Sequence, residues 1–276
     1  MKNPENKKPV TLQDLGFKEA ECKLIEETLE QSHGLTVFSS PTGGGKTASI
    51  YAAIETLPKK TEKVISLECP IEKPLADVTQ MQVKTPSEIG EYLQHMGKCD
   101  PDYIVVGEMW DAKTTRAAIQ MALSGHVVIA GTQGKNCKGV LDTLINQDEA
   151  HLLSDAIKLI VHQRLCRKPC PNCKVPVEFP EKFRKYLPEH LRNEPNLHAY
   201  KGSGCKCCQE TGFQGQTLVT EILPITRKIR KYILGELPWN EALPTSFISL
   251  EKAAAEKCLN GMGSLEFLEH ISAEAT

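Results

Sequence analysis

Short apolar runs alternate with amphipathic, helix-forming stretches between Lys18 and Leu165. Each apolar run ends in polar or turn-forming residues, as buried strands do. Helix caps such as Thr85 and Asp111 and the helix-terminating Gly125 flank the stretches between these runs. The predicted strands are Leu35–Ser39, Val64–Glu68, Thr79–Val83, Tyr103–Val106 and Val127–Ala130. The predicted helices are Lys18–Ser32, Ala48–Ile54, Thr85–Met96, Asp111–Leu123, Lys138–Asn146 and Glu149–Leu165.

This alternation predicts an α/β fold, a parallel sheet covered by helices on both faces. Ligands of such sheets collect beyond the carboxyl ends of the strands. Three features that could do chemistry, Ser40–Thr47, Glu68 and Gly107-Glu108, come directly after predicted strands. We therefore expect them to converge on one site.

The first of these features has the form of a phosphate-binding loop, G-x-x-x-x-G-K-[ST], between a strand and a helix. Its glycines let backbone N–H groups point at a nucleotide triphosphate, and the helix N-terminus and a lysine add positive charge. Ser40 stands where the first glycine is expected, and an ordinary glycine-rich turn is the alternative. The predicted nucleotide-binding residues are Ser40, Pro41, Thr42, Gly43, Gly44, Gly45, Lys46, Thr47 and Ala48, with Thr47 also a ligand of Mg²⁺.

Composition and charge narrow the function classes further. The 276 residues carry a net charge of −2, and only 5% are aromatic, so we expect neither a nucleic-acid partner nor an anionic membrane surface. No secretory signal pattern and no membrane-spanning apolar stretch of about 20 residues occurs. Eleven cysteines without an export signal favour metal binding over a disulfide framework.

Two C-x₂-C pairs, separated by 31 residues, follow the alternating region. Each pair can offer two thiolates to one tetrahedral Zn²⁺, so together they predict a four-sulfur structural site. A redox role is the alternative, but neither pair lies in the βαβ context of a redox C-x-x-C. The predicted zinc ligands are Cys170, Cys173, Cys205 and Cys208.

The composition changes after Leu165, and this change suggests four parts. A polar segment with a packing helix occupies 1–33, and its first ten residues are expected to be disordered. The phosphate-loop core is expected at 34–165, a four-cysteine zinc subdomain at 166–222 and a helical C-terminal part at 223–276.

From Leu12 onward the chain resembles the C-terminal motor domain of the ATPases that drive type II secretion and type IV pilus assembly. The phosphate loop, Ser66–Glu72, Asp100–Asp111 and Ser124–Val128 are similar to the family's four boxes, in the same order. The cysteine pairs resemble the module of its assembly and secretion branch. The resemblance implies a RecA-like P-loop fold with a zinc subdomain, a homo-hexamer, and the cofactors ATP, Mg²⁺ and Zn²⁺. It also implies a cytoplasmic protein, peripheral at the inner membrane, whose partner is an inner-membrane platform protein.

The resemblance also assigns roles to residues. Glu108 would help hold the metal and its water, and Glu68 would be the general base, although a strand-end carboxylate in a salt bridge is the alternative. His126 and Gln133 are weaker candidates for nucleotide binding, and a histidine that begins a buried strand is often only hydrogen-bonded in place. Gln133 can bind a phosphate oxygen but carries no charge.

The chain departs from the family at several positions. Cys69 replaces an aspartate, Trp110 an arginine and Gln133 the histidine of the last box. The family also brings arginines to the site from a preceding domain. We therefore expect either that this chain is a fragment of a longer protein or that another chain supplies this charge.

Three functions follow as hypotheses. The first is a motor that hydrolyses ATP from the cytoplasmic side to power pilus assembly or type II-like secretion. The second is a nucleotide-binding regulatory subunit with weak or no hydrolysis. The third, a zinc-ribbon ATPase that depends on nucleic acid, is disfavoured by the sequence pI of about 6.5.

Overall fold

The computed structural model describes residues 9–147 and 149–274 and contains two compact units. The first unit contains the chain up to His162 together with Ile222–Phe247, and the second contains Gln163–Glu221 together with the chain from Ile248. The expectation of a single helical part at 223–276 needs correction, because this stretch is divided between the units at Phe247. Most of the segment expected to be disordered, residues 1–8, lies outside the described residues.

The five predicted strands are present, and four further strands follow them within the described residues. The strands are β1 (Gly34–Ser39), β2 (Val64–Glu68), β3 (Thr79–Gln82), β4 (Tyr103–Val106), β5 (Val127–Thr132), β6 (Ile157–Pro169), β7 (Lys174–Glu178), β8 (His198–Gly202) and β9 (Phe213–Pro224). Seven of them form one sheet in the order β3-β2-β4-β5-β1-β6-β9, and β7 and β8 form a separate pair.

The predicted helices before Glu149 are present, although the one expected from Thr85 becomes α-helical only at Ile89 and Thr85 makes no side-chain cap hydrogen bond. The helices are α1 (Leu12–Leu15), α2 (Glu19–Leu29), α3 (Lys46–Ile54), α4 (Ile89–Met96), α5 (Ala112–Leu123), α6 (Cys137–Gln147), α7 (Ala150–Ala156), α8 (Glu189–Arg192), α9 (Arg227–Ile233), α10 (Trp239–Ala242), α11 (Leu250–Leu259) and α12 (Leu265–Glu274). Asp111 caps α5 as predicted, since its carboxylate accepts the Thr114 N–H at 2.7 Å. No described helix is long and apolar enough to pass through a bilayer.

The predicted helix Glu149–Leu165 is wrong over its second half. Helix α7 ends at Ala156, and the chain continues directly as β6. The residues from Ile157 to Val161 are rich in β-branched side chains, and nearly all of them are fully buried. A strand in the middle of a sheet buries both of its faces, so it lacks the alternation that would distinguish it from a buried helix.

The parallel register of the first unit places its functional loops at one edge. Strand β1 pairs in parallel with β5, from Gly34 opposite Val127 to Ser39 opposite Thr132. Strands β2 and β4 pair in the same direction, as do β4 and β5. The loops that follow β1, β2, β4 and β5 therefore leave from the same edge of the sheet.

The second unit is built around a β-hairpin. Strands β7 and β8 pair antiparallel, with Lys174 opposite Gly202. This pairing brings the chain before β7 and the chain after β8 to the same end of the hairpin. Its core consists of apolar residues from several elements of the unit: Cys166, Phe179, Phe183, Leu187, Ala199, Val219, Leu250, Ala253, Ala254, Ala255, Cys258, Leu268 and Ile271.

A substitution at Gly131 in β5 would test how closely the loop after β4 approaches this strand. A Cβ at Gly131 would lie 2.2 Å from the Gly107 carbonyl oxygen, whereas one at Gly97 would have no heavy atom within 4 Å. We expect Gly131→Ala to lower the free energy of unfolding by about 1–3 kcal/mol, as other overpacking substitutions do. The control, Gly97→Ala, should change it by less than about 0.5 kcal/mol. Equal denaturation midpoints for the two variants would contradict this packing.

Candidate functional site

The loop that begins at Ser40 joins β1 to α3, whose first two residues are Lys46 and Thr47, and it has the backbone conformation that its glycines allow. Gly43 and Gly45 have φ angles of 76° and 80°, which side chains with a Cβ rarely adopt. Gly44 is required for a different reason, because a Cβ there would lie 2.6 Å from the Ser40 Cβ. The Ser40 hydroxyl donates to the Pro41 carbonyl at 2.8 Å, so the serine is part of the turn.

A pocket of about 430 Å³ opens over this loop. All of the predicted phosphate-loop residues line it, together with Glu72, Glu108, Trp110 and Gln133. The structure therefore brings Gln133 and Glu108 to the loop from distant positions in the sequence.

Lys46 is the cation of this pocket. Its ammonium forms an ion pair with Glu108 and donates to the Thr132 carbonyl at 3.1 Å. Burial lowers the pKa of Lys46, and the hydrogen bond to Glu108 partly offsets that shift.

The second carboxylate oxygen of Glu108, Oε1, is buried and has no hydrogen-bond partner within the part of the chain that is described. A buried, unpaired carboxylate oxygen is costly, and a bound cation would satisfy it. Glu108 and the Thr47 side chain line the same pocket. Hard oxygen donors beside a phosphate loop fit Mg²⁺.

Glu68, at the end of β2, is only 4% exposed. Its carboxylate accepts hydrogen bonds from the hydroxyls of Tyr51 and Ser66 and from the amide of Gln80, the last two at 2.7 and 3.0 Å. Glu68 lines a smaller pocket of about 130 Å³, which shares Thr47 and other lining residues with the larger one. The predicted convergence of Glu68 with the phosphate loop is thus present in the structure. Within residues 9–147 and 149–274 its carboxylate is held by neutral donors and forms no salt bridge.

Sequence reasoning missed the side chains that surround Glu68. Tyr51 was noted only as part of the helix after the loop, although its position four residues after Thr47 places both on one face of α3. Ser66 lies two residues before Glu68 on β2, so the two side chains lie on the same face of the sheet. Gln80 had no signal in the sequence, because its contact depends on the pairing of β3 with β2.

The positions that depart from the family pattern lie at the two pockets. Cys69 lines the smaller one, and its thiol is 3.7 Å from the Lys84 carbonyl oxygen. Trp110 lines both pockets and is 53% exposed. Gln133 is exposed beside the phosphate loop.

His126 is not brought to the phosphate loop. It precedes β5, whereas the loop follows the carboxyl end of β1, so the length of a six-residue strand, about 20 Å, separates the two. Its Nδ1 lies 2.8 Å from the Pro101 carbonyl oxygen, and it borders a separate pocket with Tyr103. The assignment of His126 to nucleotide binding is corrected accordingly, because its hydrogen bond holds it at the opposite edge.

The two cysteine pairs of the second unit meet at the end of the β7–β8 hairpin. The sulfurs of Cys170, Cys173, Cys205 and Cys208 all lie within 4.8 Å of one another. Three of the separations are 3.9 Å (170 to 205), 3.8 Å (173 to 208) and 3.7 Å (205 to 208). Tetrahedral zinc with Zn–S bonds of about 2.3 Å requires sulfurs about 3.8 Å apart, so the cluster has the dimensions of a zinc site.

Backbone amides support the same interpretation. The N–H groups of Cys205 and Gly212 each donate to the Cys208 sulfur at 3.2 Å. Burial raises the pKa of the Cys208 thiol, but these hydrogen bonds, together with those of the Cys205 and Cys173 side chains, outweigh burial and lower the pKa to about 7. A thiolate that is stabilised near neutral pH is the form that binds metal.

Comparison with known proteins places this site in a family. Residues 2–269 match the family model described as "Type II/IV secretion system protein". The type II secretion system protein E of Pseudomonas aeruginosa is 31% identical over 271 residues, which are 96% of this chain and 54% of that protein. The type IV pilus assembly ATPase PilB of Acinetobacter baylyi is 30% identical over 270 residues, covering 94% of this chain and 46% of that protein.

Solved structures show the same fold. The pilus retraction motor PilT, crystallised with bound ADP, aligns with a TM-score of 0.69 at 20% identity, covering 96% of this chain and 68% of that one. The ATPase DotB of Legionella pneumophila aligns with a TM-score of 0.67 at 18% identity, covering 96% and 66%.

This chain spans about half the length of the curated relatives it matches. The family model covers nearly all of it, including the phosphate loop, both glutamates and the four cysteines. The chain therefore belongs to the family of type II/IV secretion system proteins.

Proposed function

We propose that this chain is an ATP-hydrolysing motor domain that powers type IV pilus assembly or type II-like protein secretion from the cytoplasmic side. The convergence of the phosphate loop, Glu68 and Glu108 at one edge of the sheet is the observation that carries this proposal. Family membership and the names of the relatives, secretion system protein E and pilus assembly ATPase, support it.

The residues of the pocket have complementary roles in this reaction. The N–H groups of the loop and the Lys46 ammonium would bind the phosphates of ATP. Thr47 and Glu108 would hold Mg²⁺, which neutralises charge on the phosphates when it is bound. Glu68 would orient the attacking water and accept its proton, and its carboxylate position beside the loop suits that task.

The assembly and the partner belong to the same proposal. Family resemblance favours a homo-hexamer that is peripheral at the inner membrane and acts on a platform protein there. The arginines that relatives bring from a preceding domain would come from a longer form of this protein or from another chain. An arginine delivered in this way can accelerate phosphoryl transfer by orders of magnitude.

The lysine of the loop tests the proposal directly. We expect Lys46→Ala to lower the steady-state ATPase activity of the assembled protein at least about tenfold, because the phosphates lose their cation. Lys23→Ala is the control, since Lys23 is exposed on α2 and pairs only weakly with Glu27 at 3.6 Å. Unchanged hydrolysis in the Lys46 variant would reject the role of the loop.

A second candidate function is nucleotide binding with little turnover. The departures at Cys69, Trp110 and Gln133 favour it, because all three line the pockets and none supplies the charge found in relatives. This alternative predicts tight binding of ATP with negligible hydrolysis even when arginines are supplied in trans. Rapid hydrolysis after mixing with an arginine-bearing subunit would exclude it.

The proposed function includes a structural Zn²⁺ held by the four cysteines of the second unit. We expect about one equivalent of zinc per chain in the purified protein, and its loss in the double variant Cys173→Ser Cys208→Ser. Elemental analysis measures both.

Cys207→Ser is the matched control for the metal. Cys207 lies next to two of the ligands but is exposed and outside the cluster, so this variant should retain zinc. A folded wild-type protein without metal would contradict the zinc assignment.

A further inference from the structure

The hydroxyl of Tyr51 connects three segments of the candidate site. Tyr51 lies on α3, one turn after Thr47, and is 3% exposed. Its hydroxyl donates to Oε2 of Glu68 and accepts the backbone N–H of Glu72 at 3.2 Å. The helix that begins at the phosphate loop is thereby joined to the end of β2 and to the chain that follows it.

The hydroxyl has one proton, and its geometry commits that proton to Glu68. An N–H can only donate, so the hydroxyl accepts from Glu72 and must donate to the carboxylate. Burial, and then the hydrogen bond to Glu68, raise the pKa of Tyr51 to about 12. The phenol therefore stays a donor throughout the physiological range.

The other oxygen of Glu68, Oε1, is held by Ser66 and Gln80, so Tyr51 provides the hydrogen bond on the Oε2 side. Gln80 also donates to the Lys73 carbonyl at 3.1 Å and accepts the Leu75 N–H at 2.8 Å. The Lys73 ammonium lies 5.3 Å from the centre of the Tyr51 ring. These contacts thus hold the chain from Glu72 to Leu75 close to Tyr51 and Glu68.

We propose that Tyr51 is a positioning residue that orients the Glu68 carboxylate and couples its orientation to the phosphate-loop helix. This inference rests on the proposed hydrolysis, in which Glu68 acts on the attacking water. A shift of α3 when phosphates bind at its N-terminus would move the Tyr51 hydroxyl and, with it, Glu68. The carboxylate would then be aligned when the loop is filled.

The experiment compares Tyr51→Phe with Tyr103→Phe in steady-state ATP hydrolysis by the assembled protein. Phe keeps the ring and removes only the hydroxyl, and we expect kcat of the Tyr51 variant to fall about tenfold. KM for ATP should change less than about twofold, because the phosphate contacts remain. A structural defect of the loop would instead raise KM.

Tyr103 is a close control. It is 5% exposed in the first unit, and burial together with Glu62 raises its pKa to about 12. It begins β4 and so lies at the edge away from the phosphate loop. Tyr103→Phe removes a comparable buried hydroxyl, and we expect kcat and KM to stay within about twofold of wild type.

A double-mutant cycle with Glu68→Gln identifies the group through which Tyr51 acts. If the hydroxyl works through the Glu68 carboxylate, Tyr51→Phe should cause little further loss in the Glu68→Gln background. Full additivity of the two losses would overturn the proposal. If the Phe variant is unstable, Tyr51→4-aminophenylalanine, which retains a donor, should keep a kcat near that of wild type, and a tenfold loss in it would overturn the proposal.

The outcomes separate this proposal from the function on which it rests. Hydrolysis by the wild type with equal kcat for the two Phe variants would overturn the role of Tyr51 and leave the ATPase assignment intact. Absence of hydrolysis by the assembled wild type would overturn the ATPase assignment and, with it, the role of Tyr51. A selective loss of kcat in the Tyr51 variant, absent from the Glu68→Gln background, is the result we expect.

Discussion

Parallel pairing of β1, β4 and β5 is the constraint on which the candidate site depends. Because the strands run in one direction, the phosphate loop, the loop after β2 and the loop after β4 all leave from one edge. The loop after β4 approaches β5 closely, since Met109 donates its N–H to the Gly131 carbonyl at 2.7 Å. Only a residue without a Cβ fits at Gly131, so this contact fixes where Glu108 meets Lys46.

The charges at this edge are arranged to receive a ligand. The Lys46 ammonium forms an ion pair with Glu108, and Oε1 of Glu108 is buried without a hydrogen-bond partner among the described residues. Glu68 accepts hydrogen bonds from neutral donors. Partly buried charges are costly unless they are paired, so the site gains from a ligand that brings both phosphate and a divalent cation. The second unit has an apolar core of its own, and its four cysteines lie together at one end of the β7–β8 hairpin, where a bound metal would add stability.

The features that could be predicted from sequence are those with local causes. The phosphate loop needs glycines at adjacent positions, and the cysteine pairs bring two sulfurs together within one turn. The convergence of Glu68 and Glu108 could also be predicted, because parallel strands impose it.

Other features could not be predicted from local patterns. Strand β6 was expected to be a helix, because its buried residues do not alternate between apolar and polar. The division of the C-terminal part depends on contacts between distant segments. His126 was assigned from its place in a family-like box, Ser124–Val128, but it precedes β5, and the opposite end of that strand faces the loop. The contact of Gln80 with Glu68 required the register of two strands, which no local pattern contains.

A structure of the assembled protein with Mg²⁺ and a non-hydrolysable ATP analogue tests the central claim most directly. We expect the triphosphate inside the loop from Ser40 to Thr47, with the Lys46 ammonium within hydrogen-bond distance of its terminal oxygens. Mg²⁺ should lie between the Thr47 hydroxyl, the phosphates and Glu108 or a water that Glu108 holds. An analogue bound elsewhere, or a Lys46 that contacts only Glu108 while the analogue is bound, would contradict the assignment of this edge as the nucleotide site.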